Sequence, residues 1–200
     1  MFAEYTTSEL LSIFAMQGVA GLILFSVFVL MALGLAIIFG QMGVINMAHG
    51  ELMILGAYVT YLTSNLFSTY LPDYFGSYFV LAMILAFLAA GLLGALVEWL
   101  MLRHLYQRPL DTLLATWGLS LILQQAYRTI FGAREVGVTL PDWLMGSYQL
   151  SDSIELPING LFVMCLALGI SLTIGILMYR SRWGTQVRAV VQNRPMAGAV

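Results

Sequence analysis

LLSIFAMQGVAGLILFSVFVLMALGLAIIFGQMGVINMAHG, residues 10–50, runs for 41 positions without an acidic or basic side chain. A helix needs about 20 apolar residues to cross roughly 30 Å of hydrocarbon, so this stretch holds one full crossing and the approach to another. Outward from it, further charge-free runs occupy 52–72, 74–97, 112–127 and 156–179. Backbone polar groups in lipid must find partners within their own segment, which makes each run a helix. The short alternating segments of a membrane β-barrel are not visible. The reading is an all-α, polytopic transmembrane helical bundle. Five crossings are expected, near 17–39, 52–70, 78–101, 111–131 and 158–179.

Composition agrees with that class and excludes others. Of 200 residues, 60% are hydrophobic and 9% charged, where a soluble domain carries roughly a quarter charged residues. All eight basic residues are arginine and the net charge is -2; a nucleic-acid binder would carry a basic field. A single cysteine, Cys165, and two distant histidines give no disulfide framework and no metal cluster. The N-terminal residues hold Glu4 and Glu9 but no basic residue, unlike a cleavable signal. The first span is therefore expected to stay in the mature protein. No HExxH, GxSxG or P-loop pattern occurs, so neither an enzyme site nor ATP binding by this chain is expected, and no cofactor.

The arginines set the expected orientation. Arg103 and Arg108 follow the third span, and Arg180, Arg182, Arg188 and Arg194 follow the fifth. Cytoplasmic placement of both groups satisfies the positive-inside rule. It puts the connection 132–157 and the turn at Asp73 outside, the N-terminus outside and Val200 inside.

Polar residues within the spans are the candidate path. Segment 40–51, GQMGVINMAHGE, sets Gln41, Asn46, His49 and Glu51 among three glycines. It reads either as a cytoplasmic turn between the first two spans or as a broken, re-entrant helix whose free backbone lines a cavity. Asn46, His49 and Glu51 are expected to cluster where the second helix begins. In the fourth span Thr112, Thr116, Ser120 and Gln124 follow an i, i+4 line along one helix face, either a polar path for a small solute or interhelical glue. Small residues also recur four apart, as in Gly56–Thr60–Ser64–Ser68 and Ala86–Ala90–Gly94–Glu98, the pattern of closely packed membrane helices. Segment 180–200 is basic and amphipathic, with Val187, Val190 and Val191 on one face. It reads as a helix on the lipid surface or as a docking element for a cytoplasmic partner. The chain stops in mid-pattern at Val200, as expected of a piece of a longer permease.

The stretch LGLAIIFGQMGVINMAHGELMILGAYVTYL (33–62) resembles the N-terminal signature of the branched-chain amino-acid type of ABC importer permeases, with GVINMAHGE at its heart. LDTLLATWGLSLILQQ (110–125) resembles the urea-transporting branch of that family more than its amino-acid branch. RAVVQNRPMAGAV (188–200) is similar to the family's cytoplasmic ATPase-coupling region. The resemblance implies an inner-membrane, multi-pass permease paired with a second homologous permease, cytoplasmic ATPases and an external solute-binding protein. Urea is the expected solute and a branched-chain amino acid the alternative. Gln41, Asn46, His49, Glu51, Thr116, Ser120 and Gln124 are the path candidates. Arg188, Asn193, Arg194, Met196 and Ala197 are the ATPase-coupling candidates. A self-sufficient channel or carrier is the competing class, which would have no use for a docking tail.

Overall fold

A computed structural model describes residues 7–43, 45–105, 108–151, 154–192 and 196. Helix α1 (Thr7–Met42) is followed by α2 (His49–Tyr70) and a 3-10 turn at Pro72–Ser77. Then comes α3 (Tyr78–Val97), which continues through a π-helical turn, Glu98–Leu102, and a last turn, Arg103–Leu105. Helix α4 (Pro109–Phe131), a hairpin of β1 (Ser147–Ser151) and β2 (Ile154–Pro157), α5 (Ile158–Arg180) and α6 (Arg182–Gln192) complete the order. The chain is thus a helical, polytopic membrane protein with one small antiparallel ladder.

Three helical stretches are long and apolar enough to cross a membrane: Glu9–Gly40, Pro72–Leu105 and Ile158–Arg180. Helices α2 and α4 are more polar. At 22 and 23 residues and ~1.5 Å per residue they have the length to span. Their polar load is turned inward: Glu51, Thr63 and Ser64 on α2 and Thr112, Thr116 and Ser120 on α4 are buried. Polar side chains at membrane depth are tolerated where they face protein.

The chain divides into two compact units, Leu35–Pro141 and Met1–Gly34 with Asp142–Val200. In the first, α2 and α3 pack as a hairpin, and Gly56 lies beside Ala86, where an added Cβ would meet the alanine Cβ at 3.7 Å. Two of the small-residue stripes therefore meet here. Phe67, Tyr78 and Ala82 form the buried knot at one end of this hairpin, with Val138 packed on it. The Tyr78 hydroxyl donates to the Thr139 carbonyl, tying the segment after α4 back onto α2 and α3. In the second unit, the β1–β2 ladder pairs Ser147 with Pro157 and Tyr148 with Leu156, and Trp143 meets Phe162 edge-on at 5.7 Å.

The glycine-rich segment 40–51 is a helix break, and one glycine makes it. Gly43 takes φ 65°, a left-handed conformation costly to other residues, and its N–H closes α1 on the Phe39 carbonyl at 2.8 Å. This is the αL helix stop. The chain leaves helix at Gly43 and re-enters it at His49.

Candidate functional site

The break is built to deliver α2 onto α4. Asn46, 8% exposed, accepts from the Ala48 N–H through Oδ1 at 3.0 Å. Its own carbonyl accepts from the His49 N–H at 3.3 Å. Asparagine favours such local turns because its side chain substitutes for a backbone acceptor. One residue on, the Met47 N–H donates to Thr116 Oγ1 at 3.2 Å, so a backbone group freed by the break is satisfied from α4.

Two positions into α2, Glu51 is 6% exposed and reaches across to the same helix. Its Oε1 accepts from Ser120 Oγ at 3.0 Å and from Gln124 Nε2 at 2.7 Å. Gln124 Nε2 also reaches Ser120 Oγ at 3.2 Å. Tyr127 donates to the Glu51 carbonyl at 3.0 Å, and Tyr58 lies against Tyr127 at 5.3 Å and stacks on Phe131 at 4.0 Å. Residue numbers rise together along this contact, 51 with 120 and 124, then 58 with 127 and 131. Helices α2 and α4 therefore run parallel, as two helices on either side of a returning α3 must.

Both Ser120 and Gln124 therefore donate to the one oxygen, Glu51 Oε1. Its other oxygen is differently placed. Among the described residues Glu51 Oε2 and both ring nitrogens of His49 are buried without a hydrogen-bond partner. A buried polar atom left unpaired is costly, and here three lie within three residues of sequence. The site can thus accept a hydrogen-bond donor from a passing molecule without first breaking the Oε1 pair.

The path candidates consequently separate. Glu51, Ser120, Gln124 and Thr116 meet across α2 and α4, and Asn46 shapes the turn that brings them together. His49 opens α2, half-buried. Gln41 falls in the last turn of α1. Thr112 lies on the same buried line but is occupied locally, donating to the Leu105 carbonyl at 2.8 Å and the Arg108 carbonyl at 3.0 Å. Tyr127 and Tyr58 were not expected. The signal for Tyr127 was present, since it sits three residues beyond Gln124 on the stripe already read as 112, 116, 120 and 124.

In the tail, α6 follows α5 after a single residue, Ser181, whose side chain accepts from the Gly184 N–H at 3.0 Å. Gly184 lies so close to the Met178 and Leu177 carbonyls that a Cβ would overlap both. Arg188 turns back on the end of α5, donating to the Met178 carbonyl and lying 5.9 Å from the Tyr179 ring centroid. A cation near terminal helix carbonyls is favourably placed. Met196 is exposed, whereas Asn193, Arg194 and Ala197 lie outside the described residues.

The polar groups of α2 and α4 thus converge on a buried carboxylate between two parallel helices, the kind of costly intramembrane cluster that in membrane proteins points to a functional site. Comparison with known proteins identifies the family. The family described as the permease component of branched-chain amino acid transport systems matches residues 18–200, and the chain belongs to that family. It is 29% identical over 206 residues to the high-affinity branched-chain amino acid transport system permease protein LivH of Escherichia coli strain K12, covering 95% of this chain and 63% of LivH. LivH of Salmonella typhimurium is 28% identical with the same coverage. The corresponding Pseudomonas aeruginosa protein, BraD, is 26% identical over 188 residues, covering 90% of this chain and 60% of BraD. The chain thus spans about three-fifths of the length of these curated relatives, which are transport permeases and not enzymes. No solved structure matches it.

Proposed function

We propose that the chain forms a membrane-spanning permease subunit of an ATP-driven importer, and that its solute, small and neutral or zwitterionic, passes the Glu51–Ser120–Gln124 cluster. The observation that carries this reading is the buried carboxylate with one oxygen engaged and one without a partner. Helices α1 to α5 each cross the bilayer in this account, with 132–157 external and α6 cytoplasmic. Residues 180–200, Arg188, Asn193, Arg194, Met196 and Ala197 among them, face a partner ATPase. A second permease and an external solute-binding protein complete the assembly.

Urea is the solute suggested by the resemblance of 110–125. A branched-chain amino acid is the second reading, favoured by the similarity to the branched-chain amino acid permeases LivH and BraD. Uptake of labelled urea and labelled leucine into vesicles holding the assembled transporter tests both. ATP-dependent accumulation of one of the two is expected, and accumulation of neither refutes the reading. In intact cells a membrane-impermeant thiol reagent should label Trp143→Cys and spare Arg182→Cys; the reverse pattern overturns the orientation.

A further inference from the structure

Where α4 ends, a cleft of about 510 Å³ opens beside α2, lined by Tyr58, Tyr61, Arg128, Arg134, Glu135 and Val136 among others. Helix α4 stops at Gly132, whose φ is 85° and whose N–H donates to the Arg128 carbonyl at 3.0 Å. The next residues return to the α2–α3 knot, where Val138 packs and Tyr78 holds the Thr139 carbonyl. That path brings Arg134 to the cavity that Arg128 borders from the last turn of α4. Among the described residues neither guanidinium is in an ion pair.

The sequence of α2 gives the depth of the cleft. Toward Glu51 the helix carries Leu52, Met53, Ile54 and Leu55, and just past Tyr61 and Leu62 it turns polar, with Thr63, Ser64, Asn65 and Ser68. Helix α4, at 23 residues and ~1.5 Å each, matches the ~30 Å thickness of the hydrocarbon. Its last turn therefore reaches the boundary between hydrocarbon and headgroups, the level at which tyrosine rings and snorkelling arginines settle.

We propose that this cleft holds an anionic phospholipid of the leaflet it opens on, Arg128 and Arg134 taking the phosphodiester; the inference rests on the reading that α4 crosses the bilayer. Phosphate oxygens suit the planar guanidinium fork, and basic pockets between membrane helices take acidic headgroups. With Glu135 included, the lining carries one net positive charge, which balances a single phosphodiester and gives a zwitterionic headgroup no advantage. Ile54 and Ala57, both exposed on α2, continue the wall of the cleft toward the bilayer centre, the course of an acyl chain. Tyr58 also contacts Tyr127, which donates to the Glu51 carbonyl. The lipid thus sits against the helix pair that carries the polar cluster.

The test uses the full permease, its native cysteines, Cys165 included, replaced by alanine, in phosphatidylcholine nanodiscs. A bimane fluorophore on Leu62→Cys reports locally, because Leu62 is exposed beside Tyr61 and is not part of the lining. Phosphatidylglycerol with a doxyl quencher near its headgroup should quench the bimane with a roughly tenfold preference over equally labelled phosphatidylcholine. Arg128→Gln with Arg134→Gln should abolish that preference, lysine at both positions should restore most of it, and Glu135→Gln should raise it. Both arginines are solvent-exposed, so folding should survive; an unchanged elution profile checks it. Unlabelled phosphatidylglycerol should displace the labelled lipid and millimolar inorganic phosphate should not; displacement by phosphate would make this a site for the free anion and overturn the lipid. Equal quenching by the two labelled lipids, or a preference that survives the glutamine pair, overturns the cleft alone. Absence of quenching by either lipid overturns the spanning reading of α4 along with it.

Discussion

Gln124→Leu is expected to reduce solute uptake at least tenfold while the permease still inserts and still binds its ATPase. Gln124 supplies the shorter of the two hydrogen bonds on Glu51 Oε1, 2.7 Å against 3.0 Å from Ser120. Removing a donor from a buried carboxylate costs about 1.5–3 kcal/mol, which corresponds to roughly 10-fold to 150-fold in an equilibrium. Leucine conserves bulk, so the change reports the hydrogen bond and not a cavity. Ser120→Ala should follow the same direction with a smaller loss. The double variant Glu51→Leu, Gln124→Leu separates the two readings of this cluster. Replacing a buried polar pair by apolar residues is often neutral for stability, so thermal stability should return while uptake does not. Recovery of uptake in the double variant would make the cluster interhelical glue.

The second large effect is expected at Gly184→Val. Any Cβ at this position overlaps the carbonyls of Met178 and Leu177, and overpacking of this kind costs about 1–3 kcal/mol. The turn that joins α5 to α6 would have to open, and Arg188 would leave the Met178 carbonyl. An 11-residue helix is marginal alone in water, so α6 should lose its fixed position. Co-purification of the ATPase should fall at least tenfold, with membrane insertion unchanged because α1 to α5 are untouched. Undiminished recovery of the ATPase would mean that α6 does not couple the two proteins.

What was legible in the sequence was what a single helix determines. Thr112, Thr116, Ser120 and Gln124 could be placed on one face by spacing alone, because neighbours four apart share a face, and polar groups in an apolar helix must turn inward. The interruption at 40–51 was legible from its glycines, though not which of them acts. Gly40 and Gly50 are helical, and only Gly43 adopts the left-handed conformation. Pairings between distant segments were not legible. Nothing local says that Glu51 meets Gln124, 73 residues away, or that α2 and α4 run parallel, since those facts depend on how α3 returns. Nor does anything local in the sequence bring Arg188, an ATPase-coupling candidate, to the Met178 carbonyl, which comes within reach through the close approach at Gly184. The hairpin at 147–157 was also missed, its strands of five and four residues being too short for a period-two pattern to stand out.

The central claim is that the face bearing Ser120 lines the route taken by solute. Ser120→Cys, in a permease whose native cysteines, Cys165 included, are alanine, tests it most directly when the assembled transporter is exposed to a small hydrophilic thiol reagent with and without ATP. Ser120 is 7% exposed, so labelling should be slow at rest, rise severalfold during turnover, and be suppressed by transported solute. A cysteine at position 120 that stays unlabelled through active turnover would contradict the account.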